Sequence, residues 1–240
     1  MTFTKFQFNN FCYWPSNPKK IVEFIGGSYL ASKPDLTYRR FIESLINKNY
    51  AVHAYKYTPQ FDHQQLAIKA WKDFKNCRIS LSKRIGALIP SIRIGHSLGC
   101  KLHLISPDGG RNCEKFISIS FNNFSANKSI PLLKQVAKKL EFTSEFSPSP
   151  ERTFRIIEKT YTQKNNFLIK FNSDDLDQTD QLFFCLKARK EDNSKGIMLK
   201  GTHTIIASAG LRENFLGDWA DDDFKKNTIK KICNLIDEAD

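Results

Sequence analysis

Short apolar runs alternate with helical segments along most of the chain, and this alternation limits the folds that the sequence can adopt. The runs KKIVEFI, EKFISISF, NNFLIKF and SKGIMLKG have the length and the apolar character of buried strands. Segments with apolar residues at helical spacing lie between them. This order predicts right-handed crossover connections and a mostly parallel, doubly wound α/β sheet with helices on both faces.

The helical segments carry signals for where helices begin and end. In PDLTYRRFIESLINKN, Asp35 is a candidate N-terminal cap, and Asn49 suits a left-handed residue after the last turn. FDHQQLAIKAWKDFKNC predicts a second helix with one apolar face. The segment DDDFKKNTIKKICNLIDEA predicts a third amphipathic helix, which we expect to cover one face of the sheet.

The length and the composition fit one globular domain. The chain has 240 residues, of which 40% are hydrophobic and 26% are charged, and these values are ordinary for a folded domain. The most loop-like stretch, FSPSPE, lies between two predicted helices and marks an insertion better than a boundary. We therefore expect residues 1–240 to form a single domain.

The net charge of +12 at pH 7 raises the question of a nucleic-acid or acidic-lipid partner. The basic residues are mostly lysines that are scattered along the sequence, without an arginine cluster or a stripe of basic and aromatic residues. Such a lysine-rich composition needs no binding face to explain it. We expect no nucleic-acid partner.

The cysteines and the hydropathy pattern indicate the cellular compartment. The six cysteines lie far apart, with no CxxC or CxxH spacing, which predicts reduced thiols and no metal site. The first twenty residues lack the apolar core of a signal peptide, and nowhere do eighteen apolar residues run together. We expect a soluble cytoplasmic protein with no integral membrane segment and no cofactor.

The motif GHSLG, residues 95–99, follows an apolar run and precedes a predicted helix. A serine on such a sharp strand-to-helix turn needs small residues two positions away on either side. The motif therefore predicts Ser97 as a nucleophile, although a glycine-rich turn with a capping serine has the same sequence. The N–H of Leu98 is the first candidate oxyanion donor, and Ser28 or Tyr29 in FIGGSY is the second.

One charged residue argues against the interpretation of Ser97 as a nucleophile. Arg93 lies in the run that leads to Ser97, where a central parallel strand is normally apolar. Its guanidinium group needs a partner or an exit to solvent.

A serine nucleophile needs a base, and His203 is the best candidate among the five histidines. It follows the last apolar run, so it lies at the same edge of a parallel sheet as the end of the Ser97 strand. The other histidines are in positions that suit packing, surface or capping roles. A histidine on a surface loop is the alternative for His203.

The acid is expected between the serine and the histidine in the sequence. The stretch NNFLIKFNSDDLDQTD places acidic residues directly after a predicted strand. Counting from the end of that strand, Asp175 is the first choice and Asp174 the second. Acidic turn or helix-capping roles remain the alternative for at least two of Asp174, Asp175 and Asp177.

These segments resemble the α/β-hydrolase superfamily, with GHSLG as the elbow and IGGSY as the oxyanion loop. FIGGSYLASKPDLTYRRFIESL, GHSLGCKLHLI, ISFNNFSANKSIP and LIKFNSDDLDQT are most similar to an uncharacterised α/β-hydrolase-like family of cyanobacteria and plant plastids, a domain of unknown function. The resemblance implies an α/β-hydrolase fold with Ser97, Asp175 and His203 as nucleophile, acid and base.

The resemblance also implies a short helical lid inserted at about residues 126–165. Within it, Phe142, Phe146, Phe154 and Ile156 suit an apolar acyl chain or pack the lid itself. The leading hypothesis is a carboxylesterase-like or thioesterase-like serine hydrolase that acts on a small acyl substrate through an acyl-enzyme on Ser97. The alternative is a non-catalytic protein that binds a lipid, a pigment or a protein partner. The oligomeric state stays open.

Overall fold

The sheet has eight strands in the part of the chain that the computed structural model describes, residues 2–125, 145–209 and 222–238. The strands are β1 (Thr2–Gln7), β2 (Asn10–Pro15), β3 (Lys20–Ile25), β4 (Tyr50–Tyr55), β5 (Ser91–His96), β6 (Lys115–Ile119), β7 (Asn166–Ser173) and β8 (Lys195–Thr202). Their order is β1-β2-β4-β3-β5-β6-β7-β8. All neighbours from β4 to β8 pair in parallel, while β1 and β2 are antiparallel additions. The predicted mostly parallel sheet is confirmed.

Helices cover both faces of the sheet. The described helices are α1 (Pro34–Thr37), α2 (Arg39–Ile46), α3 (His63–Ile85), α4 (Leu98–Leu104), α5 (Pro150–Thr160), α6 (Thr179–Lys187) and α7 (Asp223–Glu238). Buried side chains of α2 and α7 pack with one face of the sheet in the largest hydrophobic cluster. Helices α3 to α6 pack on the opposite face. The doubly wound arrangement is therefore present.

The first predicted helix is interrupted at Tyr38, whose φ of −119° and ψ of 19° separate α1 from α2. The break directs the Tyr38 side chain towards the end of β3, where its hydroxyl accepts a hydrogen bond from the N–H of Gly27 at 2.8 Å. A tertiary contact thus overrides the helical periodicity. Asn49, with a φ of 65°, has the expected left-handed conformation.

Two other elements differ from the sequence prediction. Helix α3 continues eight residues beyond the predicted segment and ends at Gly86, whose φ is 69°. The hairpin of β1 and β2 was not predicted, because β1 is exposed along most of its length and lacks a buried apolar face. The predicted helix within residues 126–144 lies outside the described residues. The predicted helix that follows begins at Pro150, within the stretch FSPSPE, and the Ser149 hydroxyl accepts a hydrogen bond from the N–H of Arg152.

Arg93 is fully partnered inside the protein. It is 2% exposed and donates two hydrogen bonds to the carboxylate of Asp108, at 2.9 and 2.8 Å. Its Nε atom donates to Glu23, the residue beside it on β3, at 3.1 Å, and Arg78 also forms an ion pair with Glu23. Burial alone would raise the pKa of Asp108, but the hydrogen bonds and the charge of Arg93 lower it well below the ordinary value. The charge is thus compatible with a central strand.

Candidate active site

Ser97 lies at the junction of β5 and α4 in a strained backbone conformation, with a φ of 54° and a ψ of −122°. The chain turns so tightly that a Cβ atom on Gly95 would lie 2.5 Å from Cα of Cys100. A Cβ atom on Gly99 would lie 2.0 Å from the carbonyl oxygen of Ile25. Both glycines are therefore required by the turn, and the strained serine carries its side chain at the end of the sheet.

His203 and Asp174 complete a hydrogen-bonded chain that starts at Ser97. Nε2 of His203 lies 2.9 Å from Oγ of Ser97. Nδ1 of His203 lies 3.0 and 2.9 Å from the two carboxylate oxygens of Asp174, whose side chain is 0% exposed. Burial alone would raise the pKa of Asp174, but the hydrogen bond and the charge of His203 lower it. A carboxylate in this position holds the imidazole in the tautomer that leaves Nε2 free to accept the serine proton.

The acid nearest to His203 is Asp174, the second choice of the sequence analysis. Asp175, the first choice, is exposed, and the hydrogen bonds of the described residues include none between it and His203. The difference arises because β7 continues to Ser173, two residues beyond the apolar run used for counting. Asp174 is therefore the first loop residue after the strand.

The loop after β3 passes directly beside Ser97. A Cβ atom on Gly27 would lie 3.1 Å from Cβ of Ser97, so a side chain there would crowd the serine. The N–H of Gly27 is already bound to Tyr38, but the described residues contain no hydrogen bond from the N–H of Ser28 or of Leu98. Both residues line the cavity at Ser97, where these N–H groups are available to a ligand.

His96 connects this loop to the loop that carries His203, a role that its position in the sequence did not predict. Nε2 of His96 lies 2.8 Å from the carbonyl oxygen of His203, and this oxygen can only accept a hydrogen bond. Nε2 therefore carries the proton, and Nδ1 accepts a hydrogen bond from the Tyr38 hydroxyl at 2.8 Å. Burial lowers the pKa of His96 to about 3, so the ring is neutral.

Other histidine and aspartate residues that could have served as base or acid make structural contacts instead. His53 accepts a hydrogen bond from Nε1 of Trp14 at 2.9 Å, and His103 stacks on Phe74 with 5.9 Å between ring centroids. Asp177 accepts a hydrogen bond from the N–H of the first residue of α6, which is a capping role. In the described ranges, no three His, Cys, Asp or Glu side chains are placed to share a metal ion.

A cavity of about 270 Å³ opens beside Ser97. Its polar walls include Lys101, His63 and Asn123, and its apolar walls include Phe146. Phe154, a second of the four residues named for the lid, packs on Phe121, with 6.1 Å between ring centroids. Ile156 packs against the core beside α3 and α4, and Phe142 lies outside the described residues. Of these four residues, Phe146 is therefore the one seen at the cavity.

None of the helices in the described ranges is both long enough and apolar enough to cross a membrane.

Comparisons with known proteins agree with the fold. A model of the family described as "Protein of unknown function (DUF1350)" matches residues 6–227. The carboxyl esterase 2 of the mycorrhizal fungus Tuber melanosporum superposes with a TM-score of 0.67 at 16% identity, covering 99% of this chain and 87% of that chain. A search of curated proteins finds no match.

Two further solved structures have the same architecture. The monoacylglycerol lipase of Paleococcus ferrophilus has a TM-score of 0.58 at 12% identity, with 100% of both chains covered. The thioesterase domain from the curacin biosynthetic pathway has a TM-score of 0.55 at 10% identity, with 98% of both chains covered. At such low identity these likenesses establish the α/β-hydrolase fold and leave substrate and chemistry to the site itself.

Proposed function

Since the chain belongs to the DUF1350 family, whose function is unknown, we propose its activity from the geometry of the site: hydrolysis of a carboxylic ester or thioester through an acyl-enzyme on Ser97. The observation that carries the proposal is the pair of contacts made by His203. One ring nitrogen lies 2.9 Å from Oγ of Ser97, and the other lies 2.9 Å from a carboxylate oxygen of Asp174. The candidate base is thus within hydrogen-bonding distance of both the candidate nucleophile and the candidate orienting acid.

In the first half of the reaction, Oγ of Ser97 attacks the carbonyl carbon while Nε2 of His203 takes the serine proton. The negative charge that develops on the carbonyl oxygen is stabilised by the N–H groups of Leu98 and Ser28. Ser28 is preferred to Tyr29 as the second donor because it directly follows Gly27, where an added Cβ atom would lie 3.1 Å from Cβ of Ser97. The imidazolium then gives its proton to the leaving alcohol or thiol, and the acyl group remains on Ser97.

In the second half, a water molecule gives a proton to Nε2 of His203 and attacks the acyl-enzyme. The tetrahedral intermediate collapses, His203 returns the proton to Oγ of Ser97, and the carboxylic acid product leaves. Asp174 keeps the imidazole in the required tautomer and stabilises its charged form. Its lowered pKa keeps the carboxyl group ionised at neutral pH.

One observation that favoured the non-catalytic alternative, the charged Arg93 in the strand before Ser97, no longer supports it. Arg93, an unusual residue in a nucleophile strand, is satisfied by Glu23 and Asp108 and does not disturb the turn at Ser97. A protein that had lost catalysis would have no need to keep the hydrogen-bonded contacts between Ser97, His203 and Asp174, so their presence favours the catalytic hypothesis. The lid at residues 126–165 remains part of the proposal, supported by Phe146 at the cavity wall.

The test is covalent labelling by a fluorophosphonate probe, read by in-gel fluorescence. We expect wild type to be labelled and Ser97→Ala and His203→Ala to be unlabelled, because the probe needs an activated serine. Ser44→Ala is the matched control, because its hydroxyl donates to the carbonyl oxygen of Arg40 within α2 and does not line the cavity at Ser97. A wild-type protein that stays unlabelled, or equal labelling of Ser97→Ala, would contradict the proposal.

A further inference from the structure

Lys101 has an unusual position for a lysine. It lies on α4 four residues after Ser97, which corresponds to about one helical turn. Its side chain lines the same cavity as Ser97 but is only 1% exposed. Nζ donates a hydrogen bond to the carbonyl oxygen of Pro148 at 2.8 Å. The ammonium group is therefore held in the wall of the site, away from bulk solvent.

The charge of Lys101 has no close counter-charge in the described parts of the chain. No described carboxylate lies within 4.0 Å of Nζ, and the one hydrogen bond uses only one of its three N–H groups. Burial lowers the pKa of Lys101 to about 8, against the opposing effect of Glu145 and Glu151, so most of the population stays protonated at pH 7. A buried ammonium group is costly unless something offsets its charge.

The other walls of the cavity do not offset this charge. No Asp or Glu is among the described residues that line it. His63, also 2% exposed at the wall, is neutral because burial lowers its pKa to about 3. Its ring stacks on Phe146 at 4.3 Å, and the Phe146 ring lies 5.9 Å from Nζ of Lys101. The described cavity thus combines one cation with apolar and neutral polar surface.

We propose that Lys101 is a specificity-determining residue that binds a carboxylate on the substrate, so that the preferred ester or thioester carries a second, anionic end. This inference rests on the proposed acyl transfer at Ser97. The two N–H groups of Lys101 that have no acceptor among the described residues form charge-assisted hydrogen bonds with that carboxylate, while the contact with Pro148 holds the side chain in place. The scissile carbonyl then lies at Ser97, and the anionic end lies one helical turn away, near His63 and Phe146.

A purely structural role for Lys101 makes a different prediction. The hydrogen bond to Pro148 alone would only anchor the chain ahead of α5. Loss of that anchor would slow reactions with neutral and anionic substrates alike. The ratio between the two rates therefore separates a structural role from a specificity role.

The experiment compares second-order labelling rates of three alkyl fluorophosphonates of equal chain length. One is neutral, one carries a terminal carboxylate on its alkyl arm, and one carries it on its alkoxy arm. We expect wild type to react at least about tenfold faster with one of the carboxylate probes than with the neutral probe, because a charge-assisted contact is gained. In Lys101→Met, the rate with the preferred carboxylate probe should fall to about the rate with the neutral probe. Lys101→Arg should retain part of the preference for the carboxylate probe.

Lys159→Met is the matched control, because it removes one exposed positive charge from α5 and should keep the wild-type ratio. Rapid wild-type labelling by the neutral probe with no preference for either carboxylate probe would overturn the role of Lys101 and leave the serine hydrolase standing. Labelling by none of the probes would overturn the proposed function itself. The absence of a preference in wild type overturns the role of Lys101 even if Lys101→Met does not fold, and a preference that persists unchanged in folded Lys101→Met overturns it as well.

Discussion

Oη of Tyr38 lies 2.8 Å from Nδ1 of His96, and this contact links the loop beside Ser97 to the loop that carries His203. The N–H of Gly27 donates to the same Tyr38 oxygen, and Nε2 of His96 donates to the carbonyl of His203. One hydrogen-bonded path thus sets the distance between the candidate oxyanion loop and the candidate base. Burial raises the pKa of Tyr38, so its hydroxyl remains a donor.

Replacing Tyr38 with phenylalanine should therefore slow the reaction more than it weakens substrate binding. Tyr38→Phe leaves the N–H of Gly27 and Nδ1 of His96 without this partner, and we expect kcat to fall roughly ten- to a hundredfold through misplacement of the loops. Steady-state kinetics with an activated ester would separate kcat from KM. Tyr161→Phe removes a comparable buried hydrogen bond, to Asn166, on another part of the core and should leave kcat near wild type. Equal losses in both variants would argue against the positioning role.

Asp174 and Asp175 offer a matched pair of adjacent carboxylates. Asp174→Asn should lower kcat about a thousandfold or more, because the imidazole of His203 loses the group that orients it and stabilises its charge. Asp175→Asn should change kcat less than about twofold, because this side chain is exposed and lies outside the chain of contacts. Ester hydrolysis rates of the two variants measure the difference. A larger loss in Asp175→Asn would restore the first choice of the sequence analysis.

The turn at Ser97 should not tolerate a methyl group at Gly99. In Gly99→Ala, the added carbon would lie 2.0 Å from the carbonyl oxygen of Ile25, and backbone atoms cannot move away cheaply. We expect a loss of free energy of unfolding on the order of 4 kcal/mol. Urea denaturation followed by circular dichroism provides the measurement. Gly196→Ala, whose nearest contact would be 3.8 Å, should stay within about 1 kcal/mol of wild type.

The buried charges at Arg93 should contribute to stability rather than to chemistry. Arg93→Met leaves the buried Asp108 without its cation and leaves Glu23 with Arg78 alone, and we expect a loss of about 3–5 kcal/mol. The exposed Arg152→Met should change stability by less than about 0.5 kcal/mol. Thermal unfolding measures both. An Arg93→Met protein as stable as wild type would show that water or rearrangement compensates the two carboxylates.

The same cluster predicts a dependence of stability on acid. Asp108 has a lower pKa in the folded protein than its ordinary value of 3.8. Its contribution is therefore fully present above that value and is lost as the pH falls from 3.8 towards the folded pKa. Unfolding curves below about pH 4 should show a smaller pH slope in Asp108→Asn than in wild type. An unchanged slope would assign the acid sensitivity to other carboxylates.

The parts of the site that depend on neighbouring residues could be predicted from the sequence. Gly95 and Gly99 are needed because the turn at Ser97 brings atoms only a few residues apart into contact, so the motif itself carries the constraint. The position of His203 at the same edge of the sheet as Ser97 could be predicted because a residue that follows a parallel strand lies at a known edge of the sheet. The choice between Asp174 and Asp175 could not be made, since it depends on two further residues of β7 that are not apolar.

The alternation of strands and helices, the strained serine turn and the edge of the sheet where the candidate site forms follow from the amino-acid sequence, because each depends on local sterics or on hydropathy periodicity. Three other features depend on how the whole chain folds: the partners of Arg93, the link between Tyr38 and His96 and the burial of Lys101 beside Ser97. These contacts join residues from separate elements, and their distances follow from strand register and helix packing. No pattern in the sequence encodes them directly.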